Sequence, residues 1–113
     1  MENRIRISVA DHVADVKLTR GDKMNALDPA MFEQIANAID QLAHMPHVRC
    51  VVLSGEGRAF CAGLDMASMA SGGTGASLAE RTHGLANGPQ HAAWGWRTLA
   101  VPVIAAVHGV AFG

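Results

Sequence analysis

The chain has 113 residues, 50% of them apolar, and its nine basic and ten acidic side chains nearly cancel. This length fits one small domain with enough apolar material for a core. Aromatic content is only 4%, tyrosine is absent and no basic stripe occurs, which argues against nucleic acid or an anionic membrane as the partner. Two cysteines form no disulfide framework, and neither a secretory signal nor a membrane-length apolar run occurs. We therefore expect a soluble, cytoplasmic protein.

The first predicted elements form an antiparallel β-hairpin. Residues 4–9 alternate polar and apolar side chains, and Ala14, Val16 and Leu18 continue the alternation after a turn at 11–12. A period of two is typical of strands that bury one face.

A helix and a buried strand are predicted next. Asp28 followed by Pro29 is typical of a helix start. Four apolar residues then recur at spacings of three and four, and Pro46 is expected to end the helix. These are Phe32, Ile35, Ile39 and Leu42. The apolar run at 48–53 predicts a strand buried on both faces.

The rest of the chain contains more glycine. Residues 54–63 read as a loop, and residues 78–100 as partly helical, with interruptions at Gly84, 88–89 and Gly95. A second buried strand is predicted at 102–107. No covering helix follows that strand in the sequence, so we expect residues 1–113 to be the N-terminal part of a single larger α/β domain that is incomplete after Gly113.

The loop after the first buried strand is the best candidate for chemistry. Ligands of α/β folds bind at strand ends, and the small residues Ala62 and Gly63 allow a ligand to approach the backbone. A backbone N–H in such a tight turn can stabilise a developing oxyanion. The alternative, an ordinary glycine-rich loop, is left open by the spacing alone.

Other motifs are weaker. Gly55 and Gly57 begin a dinucleotide fingerprint, but Phe60 occupies its third position. Cys61 lacks a local histidine partner for nucleophilic catalysis. Lys23 precedes a helix start and is a candidate phosphate ligand, although local evidence alone favours a solvated loop lysine.

Four segments, taken in order, resemble the enoyl-CoA hydratase/isomerase (crotonase) superfamily. Their order and spacing extend over nearly the whole chain, and they read LTRGDKMNAL at 18–27, VVLSG at 51–55, RAFCAGLD at 58–65 and PVIAAVHGVAFG at 102–113. The resemblance implies an α/β spiral of repeated β-β-α units, here truncated. It further implies an acyl-CoA thioester as the substrate, no cofactor beyond the coenzyme A of that substrate, no metal, and a homotrimer or hexamer for the full-length protein.

The resemblance also implies site residues. The N–H of Leu64 would be one oxyanion-hole donor. Gly113 would begin the glycine cluster that supplies the second, from the residue immediately after it. Contacts to coenzyme A are implied for two short segments. They contain Lys23, Met24, Ala26, Ala62, Gly63, Leu64, Asp65 and Met66.

Two departures and several reactions stay open. His108 occupies a position where the family often has asparagine. The acid and base carboxylates of the family follow the glycine cluster and so lie outside these 113 residues. Hydration of a 2-enoyl-CoA is the expected reaction, with isomerisation or other crotonase chemistry as alternatives. A catalytically incomplete CoA-binding or interaction fragment is the alternative of another class, and a nucleotide-binding fragment is a third.

Overall fold

A four-stranded sheet carries the chain, and its strands lie in sequence order. The computed structural model describes residues 3–72 and 77–112. The strands are β1 (Ile5–Ala10), β2 (Val13–Leu18), β3 (Cys50–Gly55) and β4 (Val103–Ala105). β1 and β2 are antiparallel, whereas β3 runs parallel to both β2 and β4. The helices are α1 (Pro29–Ala43), α2 (Met66–Ala70) and α3 (Gly88–Trp94), with 3₁₀ turns at Gly21–Lys23 and Gly95–Thr98.

The predicted hairpin is confirmed. Asp11 and His12 form its two-residue turn with φ of 52° and 66°. Positive φ at both central residues is the conformation whose twist matches a tight hairpin. One face of β2 is buried, through Ala14, Val16 and Leu18, as the alternation predicted.

The predicted start of α1 is also confirmed. The Asp28 carboxylate accepts a hydrogen bond from the Met31 N–H at 2.9 Å, and Pro29 is the first helical residue. The helix buries one stripe against β2, β3 and Trp96. That stripe is Met31, Ile35, Ala38, Ile39 and Leu42. Phe32, predicted to belong to it, is only half-buried and lines a cleft instead.

The two strands predicted to be buried differ from expectation. β3 begins two residues later than predicted and extends to Gly55, and only Val51 in it is fully buried. β4 has three residues, and Ile104 within it is 55% exposed. β4 is the last strand in the sheet order. Its apolar sequence predicts burial, but the described helices and strands leave it partly exposed.

Residues 78–100 are helical only in part, as predicted, because α3 begins at Gly88 and ends at Trp94. Asn87 and Gln90 form a reciprocal capping box at the start of α3. Pro is well tolerated in the first helical turn because its missing N–H would be unpaired there. No helix among the described residues is long and apolar enough to cross a membrane.

Candidate functional site

The loop at 56–65, here called the exit loop, leaves β3 and lies between two other segments. On one side it pairs with residues 108–112: the Phe60 N–H donates to the His108 carbonyl at 2.9 Å, and the Phe112 N–H donates to the Cys61 carbonyl at 3.0 Å. On the other side it pairs with residues 24–27. Backbone hydrogen bonds therefore hold both edges of the loop.

The second edge fixes the peptide between Gly63 and Leu64. The Leu27 N–H donates to the Gly63 carbonyl at 2.7 Å, and the Asp65 N–H donates to the Leu27 carbonyl at 3.0 Å. The N–H and C=O of a trans peptide point in opposite directions. Because the Gly63 carbonyl points at Leu27, the Leu64 N–H must point away from Leu27. Within the described residues this N–H has no hydrogen-bond acceptor.

Glycine is required at two positions around this peptide. Gly63 has φ of 85°, a conformation that other residues rarely adopt. Gly109 has φ of 61°, and a Cβ there would lie 2.2 Å from the Arg58 carbonyl oxygen. The exit loop and the segment at 108–112 therefore approach each other more closely than a side chain allows.

A buried asparagine ties the exit loop to the preceding turn. Asn25 is 0% exposed, and its Nδ2 donates toward the carbonyls of Glu56, Ala59 and Phe60 at 3.0–3.1 Å. Its Oδ1 accepts from the Arg20 N–H at 2.9 Å. The side chain thus satisfies backbone groups that would otherwise be buried without partners.

Four charged side chains form a cluster beside the loop. Arg20 Nη1 donates to Asp65 Oδ2 at 2.5 Å and to the Ala26 carbonyl at 3.1 Å, and its Nη2 lies 3.5 Å from Asp28 Oδ2. Arg4 Nη2 pairs with the same Asp28 oxygen at 2.8 Å. The four side chains are 10–14% exposed, so water screens these charges weakly.

Both carboxylates of the cluster have lowered pKa values. The Ser68 N–H and the Arg20 guanidinium hold the pKa of Asp65 below its usual 3.8. Burial alone would raise the pKa of Asp28, but hydrogen bonds from Arg4 and the Met31 N–H, with the Arg20 charge, outweigh it and lower that pKa. Both groups are therefore anionic at neutral pH and occupied by protein partners.

An apolar cleft of ≈ 610 Å³ opens beside Leu64. Its walls come from the exit loop, α1, α3, the sheet and the segment at 108–112. They include Leu27, Phe32, Phe60, Leu64, Trp96 and Phe112. Among the described residues, no Asp, Glu, Lys, Arg or His lines this cleft. It can accept an uncharged apolar group next to a backbone donor.

The structure brings the sequence-predicted site residues together, with one exception. The Ala62 N–H donates to the Met24 carbonyl at 2.9 Å, which joins the segments at 23–26 and 62–66. Lys23 is exposed, Ala26 and Gly63 are buried, and Met66 is 78% exposed at the start of α2. Gly113 lies outside the described residues.

The weaker candidates have structural partners. Cys61 Sγ lies 3.3 Å from the Asn25 carbonyl and 3.4 Å from the Gly63 nitrogen. His108 Nε2 lies 2.7 Å from the Gly57 carbonyl. A carbonyl only accepts, so that nitrogen carries the proton. A carboxylate occupies the start of α1, so a phosphate at Lys23 would not find the Met31 N–H free.

Arg20 and Asn25 are the positions that sequence reasoning did not single out. Their partners lie 31–45 residues away in the chain, apart from the contacts within 20–28. No period of two or 3.6 marks such residues. A polar residue type in a short turn before a helix gave no signal of burial.

Comparison with known proteins agrees with this geometry. The enoyl-CoA hydratase/isomerase family model matches residues 8–113. A Mycobacterium tuberculosis protein named probable enoyl-CoA hydratase is 34% identical over 109 residues, which is 96% of this chain and 41% of that protein. Mitochondrial Delta(3,5)-Delta(2,4)-dienoyl-CoA isomerase of Mus musculus is 31% identical over 112 residues, covering 94% of this chain and 34% of that protein.

Solved structures show the same relationship. The crystal structure of an enoyl-CoA hydratase from Mycobacterium smegmatis superposes with a TM-score of 0.76 at 31% identity, covering 96% of this chain and 41% of that one. The chain belongs to the enoyl-CoA hydratase/isomerase family. Its fold is part of the crotonase α/β fold, and it spans about two fifths of the length of the relatives it matches.

Proposed function

We propose that the full-length protein containing this chain binds an acyl-CoA thioester and stabilises the enolate that forms at the thioester carbonyl. The Leu64 N–H is one of two donors to the enolate oxygen. One observation carries the proposal: the Gly63 carbonyl is bound by Leu27, so the N–H of the same peptide faces away, beside an apolar cleft. Such a donor contributes roughly 3–4 kcal/mol in a transition state.

The second donor is proposed from the glycine cluster that begins at Gly113. Cys61 and Ala111 pair in parallel register. The segment that leads to Gly113 therefore runs beside the exit loop, and the Phe112 N–H donates to the Cys61 carbonyl at 3.0 Å. This proximity supports a second donor from the residues that follow.

The apolar lining of the cleft favours an uncharged acyl group as its ligand. A carboxylate on the acyl chain would lose its hydration there and would find no cationic partner among the described residues that line the cleft. We propose that the exposed Lys23 and Met66 and the half-buried Met24 contact the coenzyme A part of the substrate. Ala62 and Asp65 would contribute through the backbone, because the Asp65 carboxylate is occupied by Arg20 and the Ser68 N–H.

The proposed reaction is hydration of a 2-enoyl-CoA, with double-bond isomerisation as the second candidate. Relatives named for each activity match almost the whole chain at similar identity, 34% and 31%. In both reactions carboxylates from beyond residue 113 move the protons at the α and β carbons, while the two N–H groups hold the carbonyl. We further propose that no metal or separate cofactor takes part, that the protein is a homotrimer or hexamer, and that it is cytoplasmic.

The test uses the full-length protein and two substrates. Loss of the conjugated-thioester absorbance of a 2-enoyl-CoA reports hydration, and its appearance from a 3-enoyl-CoA reports isomerisation. Turnover of one of them, with competition by a saturated acyl-CoA and not by NAD or ATP, is the expected result. Failure to bind any acyl-CoA contradicts the proposal. Binding with no turnover of any thioester favours the alternative of a catalytically incomplete binding module.

A further inference from the structure

We propose that Arg20 is a positioning residue for the Leu64 N–H: its guanidinium fastens the segment at 26–28 to Asp65 and so fixes the peptide that faces the cleft. The inference rests on the function proposed above. Arg20 does not line the cleft and acts only through its neighbours.

The contacts of Arg20 surround the pair of hydrogen bonds that orients Leu64. Those two bonds join Leu27 to Gly63 and Asp65. The guanidinium binds the residue before Leu27 through the Ala26 carbonyl, and the residue after it through Asp28. Its bond to Asp65 reaches the residue after Leu64. One side chain therefore joins the segment at 26–28 to Asp65, the residue that follows the Gly63–Leu64 peptide.

A guanidinium suits this role better than an ammonium. In the planar guanidinium, Nη1 donates to two acceptors and Nη2 faces a third. Lysine offers a single compact charge on a flexible stem and cannot hold three separated acceptors in fixed geometry. The side chain is 13% exposed, so water does not readily replace a lost contact.

Arg4 is the matched control within the same cluster. In this cluster it pairs with Asp28, at 2.8 Å, and carries the same charge with similar exposure, 14%. Loss of Arg4 therefore removes a comparable ion pair. These contacts of Arg4 hold the N-cap residue of α1 rather than Asp65, so its loss should affect stability and leave the donor in place.

The experiment compares R20M and R20K with R4M and R4K in the full-length protein. It measures kcat, KM, the unfolding midpoint and the infrared carbonyl band of a bound acyl-CoA carrying ¹³C at the thioester carbon. A donor to that carbonyl lowers the band frequency relative to the free thioester. A loss of stability alone does not move the band in the molecules that remain folded.

For R20M we expect kcat to fall by about 100-fold, the loss that a displacement of roughly 1 Å can cause. KM should change by less than about threefold, because binding of the coenzyme A part is retained. The carbonyl band should return toward the free-thioester frequency. R20K should show the same pattern with at least about a tenfold loss of kcat. R4M and R4K should lower the unfolding midpoint and keep the wild-type band and kcat.

Wild-type kcat and carbonyl band in folded R20M or R20K would overturn the positioning role. If R20M does not fold, R20K decides the matter. Equal band shifts in the Arg4 and Arg20 variants would also overturn it, since the cluster would then act as a whole. Failure of the proposed function looks different: the wild-type protein itself would show no band shift for any acyl-CoA.

Discussion

Two regions of this chain differ sharply in how completely they are built. The cradle, residues 20–28, 56–65 and 108–112, is held by backbone hydrogen bonds, by the buried Asn25 and by a cluster of four charges. Residues 78–87 and 103–107, here called the open segments, leave large apolar side chains in solvent: Leu85 is 96% exposed and Val107 is 56% exposed. At the end of the cradle, Phe112 is likewise 63% exposed. The hydrogen bonds that orient the Leu64 peptide therefore lie within these residues, whereas the cover of their exposed apolar side chains does not.

The difference shows which interactions a partial fold can satisfy. Hydrogen bonds of the cradle join segments that all lie within residues 4–112, so these bonds form without the rest of a longer protein. Apolar burial scales with the number of layers packed together, and the relatives matched here are more than twice as long. We propose that the remainder of the full-length protein covers the open segments, as multilayered α/β folds require.

The largest expected effect comes from Asn25→Asp in the cradle. The change replaces the Nδ2 donor by an oxygen that faces the carbonyls of Glu56, Ala59 and Phe60. An uncompensated buried carboxylate should lower the free energy of unfolding by about 4 kcal/mol at pH 7.

Chemical denaturation of the full-length protein measures this cost. Asn37→Asp, on the exposed side of α1, makes the same chemical change in solvent and should stay within about 0.5 kcal/mol of wild type. Equal costs at the two positions would contradict the rigid cradle.

Leu64→Pro tests the donor itself, since proline has no N–H. We expect kcat to fall by roughly 10²–10³-fold, the usual loss of one oxyanion donor. Leu64→Ala keeps the N–H and should retain activity within about tenfold. Steady-state kinetics on both variants, with an unfolding midpoint to show that each is folded, separates backbone from side chain. Similar losses in the two variants would count against the N–H.

Gly109→Ala and Gly84→Ala compare the two regions directly. Both glycines have positive φ, 61° and 65°, so both substitutions strain the backbone. A Cβ at Gly109 meets the Arg58 carbonyl at 2.2 Å, whereas a Cβ at Gly84 meets nothing within 4 Å.

We expect a loss of about 3 kcal/mol at Gly109 and about 1 kcal/mol at Gly84, measured as free energies of unfolding. The difference between the two values isolates the close approach of the exit loop to residues 108–112. A difference near zero would mean that the backbone of the cradle accommodates a Cβ as easily as the open segments do.

The smallest effect is expected from acid. The pKa values of Asp28 and Asp65 are lowered below 3.8 in the folded protein. A group with a lowered pKa contributes stability above its unfolded-state pKa and loses it as the pH falls through the folded-state value. Stability from the cradle should therefore decrease below about pH 4. In D28N/D65N the unfolding midpoint should depend less steeply on pH in that range; an unchanged slope would show that the cluster contributes little.

Local patterns were enough for the elements near the N-terminus. The hairpin turn at 11–12 and the Asp28 cap follow from interactions between residues fewer than four apart, and both are present. The order of the resembling segments was also enough to identify the family. Such signals act within a few residues or through sequence order, and neither depends on the packed tertiary structure.

Long-range contacts were not predictable in this way. The contacts that tie Arg20 and Asn25 to the exit loop reach 31–45 residues along the chain, so no local pattern revealed them. The half-burial of Phe32 and the exposure of Ile104 depend on which elements pack nearby. An apolar sequence predicts that a strand is buried in the complete fold. Whether its side chains are buried in this part of the chain depends on which elements pack against it.

The most direct measurement is a crystal structure of the full-length protein with an unreactive acyl-CoA analogue whose thioester carbonyl is retained. We expect that carbonyl oxygen to lie about 2.7–3.1 Å from the Leu64 nitrogen, with the acyl group in the apolar cleft. The Gly63 carbonyl should still accept from the Leu27 N–H. A thioester oxygen bound elsewhere, or a Leu64 N–H occupied by a protein acceptor, would rule out the Leu64 N–H as the oxyanion donor.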